Sequence, residues 1–288
     1  MITSDWHTHT TASPDGTLTV GTLCEEARRQ GLRVIGMSDH CNFNDAKYRQ
    51  VMRDSRAAYE RHCTQYPELR FGVELSPYSR TVYNALARGD TLGSCRAGYI
   101  AAGEPPYTPA FSLMREDVDA LGLSYVIAGV HWRCDAPDAS VPPRSADAWI
   151  KEWLRLMTWS AEALAEIAGD RLKILAHPWY SCIRAPWVQS PGEDNRGFAR
   201  IPFSAHDELA AALLQYGVAA ECNADQVTHP TLSERYRREY AEFLVFLYER
   251  GVSITYGTDE HECYPDRRES VLVALRQSGY RENTLYGG

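Results

Sequence analysis

The sequence predicts one α/β domain whose parallel strands close into an irregular seven-stranded barrel, and three observations point there. Strand-like and helix-like segments alternate along all 288 residues, and no shift in composition divides them. Nine residues of metal-binding type (His7, His9, Asp15, His40, Glu74, His131, His177, Asp259 and His261) follow separate apolar runs, Asp15 lying in the loop after His9. Parallel strands in a barrel deliver their C-terminal ends to one face, so residues far apart in sequence meet there. A doubly wound open sheet is the competing architecture, but it would not gather ligands from six of seven strands into one place.

The elements follow in order. Ile2–Trp6 reads as the first strand, and Leu18–Gln30 as a helix with Thr19 as a cap and Gly31 as a stop. Arg33–Ser38 is the second strand, Ala46–Gln65 a charged helix, and Leu69–Leu75 the third strand. Met114–Leu121 has helical spacing and precedes the fourth strand, Ser124–Val130. Ala146–Ala168 is a long amphipathic helix with Trp149, Trp153, Leu156, Leu164 and Ile167 on its apolar side. Lys173–Ala176, Val218–Cys222 and Ser253–Tyr256 complete the strands, and Ala205–Tyr216, Ser233–Arg250 and Arg268–Ser278 complete the helices. Seven βα units in succession argue for one domain over residues 1–288 built on a parallel sheet.

Two connections are too long for simple loops. Ser76–Leu113 and Trp179–Ser204 are rich in Gly and Pro, and both leave strand C-termini, so they are expected to overhang the ligand-bearing face. Their aromatic residues Tyr78, Tyr83, Tyr99, Tyr107, Trp179, Tyr180 and Trp187 would suit stacking on an imidazole or a nucleobase.

Composition narrows the function. A net charge of −8 disfavours long nucleic acid as a partner, since that needs a basic footprint. The N-terminus lacks a basic segment followed by an apolar one, and no apolar run approaches the roughly 18 residues of a membrane span. A cytoplasmic protein with no membrane partner is therefore expected. The eight Cys form no CxxC pair and are expected to be reduced thiols.

The ligand motifs then suggest chemistry. In His7-Thr8-His9 and Asp259-Glu260-His261, residues two apart point to the same side of an extended chain. Taken singly, His131 and His177 would more readily be core histidines, and Glu74 a rim carboxylate. Six such clusters after six strands make that explanation poor collectively. Mixed imidazole and carboxylate ligands suit Zn, Mn or Fe over Ca or Mg. With about three protein ligands per catalytic ion, and one carboxylate shared, nine ligands suggest three divalent transition-metal ions. Such ions can serve an in-line displacement at phosphorus.

Asp5-Trp6-His7-Thr8-His9, Pro14-Asp15-Gly16, Ser38-Asp39-His40, Gly72-Val73-Glu74, Gly129-Val130-His131, Leu175-Ala176-His177-Pro178 and Gly257-Thr258-Asp259-Glu260-His261 resemble the motifs of the PHP (polymerase and histidinol phosphatase) family. The resemblance runs in the family's order from residue 5 to about 262. It implies a distorted (β/α)7 TIM-like barrel with a trinuclear site that hydrolyses phosphate esters. It places His7, His9, Glu74 and Asp259 on a first ion, with Glu74 bridging to a second completed by His131 and His177. Asp15, His40 and His261 would hold a third. Asp259, Glu74 and His261 are expected to carry catalysis, Asp259 by orienting the attacking water or taking its proton. Glu260 departs mildly from the small residues common between the last Asp and His, and is expected to point away.

Arg133, two residues after His131, and Arg184, seven after His177, are candidates for bidentate contact with a substrate phosphate, and Arg267 is a weaker one. Asn223, beside Glu221, sits where a substrate contact or a supporting hydrogen bond is expected. His206 and His229 fall outside the motif register and are expected at the surface or behind the ligands. The expected activity is a metal-dependent phosphatase acting on a small phosphomonoester, with histidinol phosphate the leading candidate. A phosphodiesterase or nucleotide phosphatase using the same ligands is an alternative. An amidohydrolase-type barrel is another, but it wants a Lys at a strand end, and Lys47, Lys151 and Lys173 do not end strands.

Overall fold

The structure, a computed structural model, describes residues 1–42, 48–79, 109–131, 146–180 and 198–286. Its strands are β1 (Ser4–Asp5), β2 (Val34–Met37), β3 (Leu69–Phe71), β4 (Glu74–Leu75), β5 (Tyr78–Ser79), β6 (Pro109–Ala110), β7 (Tyr125–Gly129), β8 (Leu172–Ala176), β9 (Ala219–Asn223) and β10 (Ile254–Gly257). Its helices are α1 (Val20–Arg29), α2 (Tyr48–His62), α3 (Arg115–Leu121), α4 (Ala146–Ala168), α5 (Phe203–Tyr216), α6 (Ala224–Thr228), α7 (Glu234–Glu249) and α8 (Arg268–Gln277).

Parallel pairing runs β1-β2-β3 in one sheet and β10-β9-β8-β7-β4 in another. Backbone hydrogen bonds join the two into a ring. The expected third strand is one chain segment kinked at Gly72-Val73 into β3 and β4, and it stays bonded to both neighbours. Gly72 N–H donates to Met37 C=O at 2.9 Å on one side, and Ile127 N–H donates to Val73 C=O at 2.9 Å on the other. At the remaining seam Trp6 N–H donates to Tyr256 C=O at 3.0 Å and Asp259 N–H to His7 C=O at 2.7 Å. Seven strands therefore follow one another in chain order around a (β/α)7 barrel.

Buried Asp5 ties this seam. It accepts from Thr258 Oγ1 at 2.8 Å and from the Tyr264 hydroxyl at 2.6 Å. Burial pushes its pKa up to about 6, against hydrogen bonds from Tyr264 and Thr258 that pull it down.

Two apolar clusters hold the layers. Inside the barrel Trp6, Tyr125, Ile127, Ile174 and Ala176 form a plug, with the Trp6 and Tyr125 rings edge to face at 5.1 Å. Gly36 and Gly72 leave room for the Tyr125 ring, which a Cβ at either position would strike. Between barrel and helices lies the larger core, to which α4 contributes Trp153, Leu156, Leu164 and Ile167; the Trp149 side chain is outside the described residues. Thr19 caps α1 by accepting from Thr22 N–H at 3.1 Å, and Gly31 follows with φ +71°. That is the stop its sequence position predicts.

The long connections are more structured at their ends than their composition suggests. The first begins and ends as an antiparallel ribbon, β5 with β6; residues 80–108 are outside the described residues. The second ends in a 3₁₀ turn, Phe198–Arg200, and its first residue, Trp179, is buried at 0% exposure. Trp179 packs edge-on to His206, whose ring also lies among Phe198, Phe243 and Phe246. This corrects two expectations: Trp179 is a core residue instead of a substrate platform, and His206 belongs to an aromatic cluster away from the ligands. Burial pushes the His206 pKa down to about 4, consistent with that setting. Among the described residues no helix is long and apolar enough to cross a membrane, and Cys24, Cys41, Cys63, Cys222 and Cys263 are in no disulfide.

Candidate metal centre

All nine candidate ligands lie at the C-terminal face of the barrel, where they fall into three overlapping groups: His7, His9, Glu74 and Asp259; Glu74, His131 and His177; and His9, Asp15, His40 and His261. His9 belongs to two groups, a sharing that the sequence did not predict.

Glu74 sits at the centre with 0% exposure and divides its oxygens. Oε1 faces His131 Nε2 at 3.2 Å and His177 Nε2 at 3.4 Å. Oε2 faces His7 Nε2 at 3.3 Å, His9 Nε2 at 3.5 Å and His40 Nδ1 at 2.9 Å. Asp259 Oδ1 closes the first group, 3.3 Å from His7 Nε2 and 3.2 Å from His9 Nε2. At the mouth Asp15 Oδ2 stands 3.5 Å from His40 Nε2 and 3.6 Å from His261 Nε2. The first group is deep in the barrel, whereas Asp15 is 43% exposed. The apolar plug beneath leaves the mouth as the open side.

Two observations show that these residues fit divalent ions. Ligand atoms 2.0–2.1 Å from a tetrahedral ion stand roughly 3.3 Å from one another, and the Nε2 and carboxylate oxygens of the first group are 3.1–3.5 Å apart. Glu74 Oε2 and His40 Nδ1 are also buried without a hydrogen-bond partner, although they face each other at 2.9 Å. Buried polar atoms left without a hydrogen bond are what a bound cation would satisfy.

Behind the ligands, other groups fix ring orientation. His7 Nδ1 lies 2.6 Å from Glu221 Oε1, Ser76 Oγ lies 2.9 Å from His131 Nδ1, and His261 Nδ1 lies 2.8 Å from the carbonyl of Asp259. Each contact occupies Nδ1 and leaves Nε2 for the centre. Asn223 caps α6 through Oδ1, which accepts from Asp225 N–H at 3.1 Å, so its amide nitrogen is turned to Asp259 Oδ2 at 3.2 Å. Asn223 therefore supports a candidate ligand, one of the two roles its position allowed. Ser76 was not identified from the sequence. The available signal was its position two residues after Glu74, on the same side of the strand.

Electrostatics follow from the crowding. Burial would push every imidazole down. It does so at His9, whose pKa falls to about 3, with His40, His261 and His7 adding repulsion. At His40 the Glu74 and Asp15 carboxylates overcome burial and raise the pKa to about 10. Burial opposes ionisation of Glu74, yet His131, His7 and His40 hold its carboxyl well below the usual range.

Backbone strain is concentrated here as well. His177 (φ +30°), Trp179 (φ +67°) and Asp259 (φ +56°) are the non-glycine residues with positive φ among those described, and two of them are candidate ligands. At Gly129 a Cβ would strike Glu74 Oε1 and the His131 ring, so this strand end must be glycine.

Arg133 and Arg184 lie outside the described residues, as do Tyr83, Tyr99, Tyr107, Trp187 and the Tyr78 side chain. Arg267 pairs with Asp225 and with Glu260, the latter at 3.2 Å, so its guanidinium is engaged by two acids. Glu260 is turned towards Arg267 and away from the ligands, as its place in the motif suggested. His229 is in a surface turn, bonded to Thr231 at 2.7 Å. The amidohydrolase alternative loses further support: the Lys173 ammonium donates to Gly169 C=O at 2.8 Å, off the opposite, N-terminal end of β8.

No curated protein sequence matches the chain. Among solved structures, histidinol phosphate phosphatase from Lactococcus lactis subsp. lactis Il1403, complexed with Zn, L-histidinol and phosphate, superposes with a TM-score of 0.61 at 17% identity, covering 98% of this chain and 95% of that one. A Xaa-Pro dipeptidase with bound methionine gives a TM-score of 0.42 at 11% identity, covering 96% and 70%. A proposed metal-dependent phosphoesterase from Bifidobacterium adolescentis ATCC 15703 gives 0.36 at 16% identity, covering 96% of each chain. The first of these shows a shared fold. The PHP domain model itself matches residues 5–189, more than half of the sequence, and with the candidate ligands gathered at the barrel mouth the conclusion is direct: the chain belongs to the PHP domain family.

Proposed function

We propose that this protein is a metal-dependent phosphatase that hydrolyses a small phosphomonoester at a trinuclear centre. The observation that carries the reading is the divided carboxylate of Glu74, with one oxygen towards His131 and His177 and the other towards His7, His9 and His40. A carboxylate so divided would hold two neighbouring ions together. Asp15, His40 and His261 are assigned to the third position, nearest solvent. Zn, Mn or Fe suits the mixed donors. Bound ions would polarise the phosphate oxygens and lower the pKa of water at the site.

The chain's own residues supply the rest. Asp259 is held from both sides, by the His7 and His9 imidazoles on Oδ1 and by the Asn223 amide on Oδ2. Its carboxylate is thus fixed to orient the attacking water or take its proton. Glu74 keeps the two deep groups in register. His261 and His40 would hold the ion nearest the mouth, where the phosphate enters, and Arg133 and Arg184 are assigned to the phosphate oxygens, where a guanidinium binds bidentately.

Histidinol phosphate is the leading specific substrate. The support is the fold shared with the histidinol phosphate phosphatase and the aromatic content of the two long connections. A panel of histidinol phosphate, nucleoside monophosphates, nucleoside bisphosphates, sugar phosphates and an aryl phosphate, assayed with metal-loaded enzyme, tests it. Histidinol phosphate should be hydrolysed well above the aryl phosphate. Equal rates on the two would remove histidinol phosphate and leave the phosphoesterase class.

A further inference from the structure

Six of the seven barrel strands or the loops after them deliver candidate ligands; β9 delivers none. Its end instead places two polar side chains two residues apart on the side that faces the centre, Glu221 and Asn223. Glu221 is 1% exposed, and its two oxygens serve different ligand groups. Oε1 is 2.6 Å from His7 Nδ1, and Oε2 accepts from the backbone N–H of His177 at 2.7 Å. His7 is in the first group and His177 in the second.

We propose that Glu221 is a positioning residue that fixes the proton of His7 on Nδ1 and locks the backbone of His177, so that one carboxylate outside the ligand set aligns two ion positions. The inference rests on the reading of these groups as metal sites. A carboxylate only accepts, so the hydrogen between Glu221 Oε1 and His7 resides on Nδ1, and the Nε2 lone pair is left for the centre. Oε2 does the same work on the main chain. His177 adopts φ +30°, a conformation that a non-glycine residue keeps only when its surroundings impose it, and the bond from its N–H supplies part of that constraint.

Gly257 makes the arrangement possible. A Cβ there would collide with Glu221 Oε1 and with the Cβ of His7. The glycine before the last ligand motif therefore serves the positioning carboxylate, besides any need of the strand itself.

Glu221→Gln separates this role from mere filling of space, because an amide of the same shape offers one acceptor and one donor. If the amide oxygen keeps the His177 N–H, the NH₂ faces His7 Nδ1. The imidazole must then carry its proton on Nε2, where it blocks the ligand position. The His7 ring resonances in ¹⁵N-labelled protein, measured metal-free and zinc-loaded, read this directly. In the unaltered protein a hydrogen-bonded Nδ1 proton on His7 is expected in both states, and in Glu221→Gln it should be lost. Zinc titration against a competing chelator should show two of three sites weakened about 10–100-fold, the usual range for partners behind a ligand, with the third little changed. Gly257→Ala should reproduce the pattern.

The proposal is overturned if folded Glu221→Gln keeps the Nδ1 proton and binds zinc as the unaltered protein does. If that variant does not fold, absence of the Nδ1 proton in the unaltered protein overturns it equally. Failure of the metal reading would look different: the metal-free protein would show the Nδ1 proton but no zinc would bind.

Discussion

Glu74 is the residue on which the proposed centre depends most, because its two oxygens face different groups of imidazoles. Glu74→Gln keeps the volume but turns one oxygen into a donor aimed at imidazole nitrogens. Metal content should fall by more than one ion per chain, and turnover should fall by more than the roughly 100-fold typical of losing a supporting contact. Elemental analysis of the purified variant checks this, and three ions retained would mean that Glu74 does not bridge. The candidate ligands were legible in the sequence because they follow six separate apolar runs, and at two of these, His7-Thr8-His9 and Asp259-Glu260-His261, period-2 geometry aims a pair together. Glu221, Ser76 and Asp5 were not legible in their roles. A carboxylate or hydroxyl that turns inward behind a ligand has the same local sequence as one that faces solvent, and only the partner strand reveals the difference.

At the scale of elements, strands β7 and β8 show how packing sets the reading's limits. Their apolar residues and their order were visible in the sequence, and the register Gly129 opposite Ala176 puts both strand ends at the centre. Small residues at these ends are a steric requirement of the ligands above them. Gly129→Ala drives a methyl group into Glu74 Oε1 and His131, so overpacking should cost about 1–3 kcal/mol. The ion of the Glu74, His131 and His177 group should be lost first. Thermal unfolding and metal analysis together test this, and unchanged melting with full metal content would show that the backbone yields. The kink at Gly72-Val73, the short β5–β6 ribbon and five-residue α6 were not legible, because each is shorter than the periodicity that would reveal it. Trp179 departs from its sequence expectation for a different reason. An aromatic residue in a Gly- and Pro-rich connection looks like a loop residue until the positive φ angles at His177 and Trp179 turn its ring into the core.

At the scale of the molecule, closing seven strands into a ring concentrates six imidazoles and three carboxylates at one mouth, and their titration couples metal binding, pH and stability. Without metal, His40 holds a proton up to about pH 10 against an ordinary value of 6.5. Its folded-state pKa is raised, so its contribution to stability is complete below 6.5 and is lost as the pH rises through about 10. His9 has the opposite sign: lowered to about 3, it contributes above 6.5, and that contribution is lost as the pH falls through 3. The melting temperature of metal-free protein should therefore decline between pH 6.5 and 10. Metal-loaded protein should not follow, because bound ions have already displaced the His40 proton. By the same linkage, acidification should release metal. Parallel melting curves for the two forms would contradict this coupling.

The most direct test of the trinuclear centre is to count metal and activity together. Chelator-stripped protein is titrated with zinc or manganese, bound metal is measured per chain by elemental analysis, and phosphatase rate is followed at each step. The account predicts saturation at three ions per chain, no turnover in the stripped protein, and recovery of turnover as the Glu74-bridged positions fill. Full turnover in a verified metal-free preparation, or saturation at a single ion with full turnover, would contradict it.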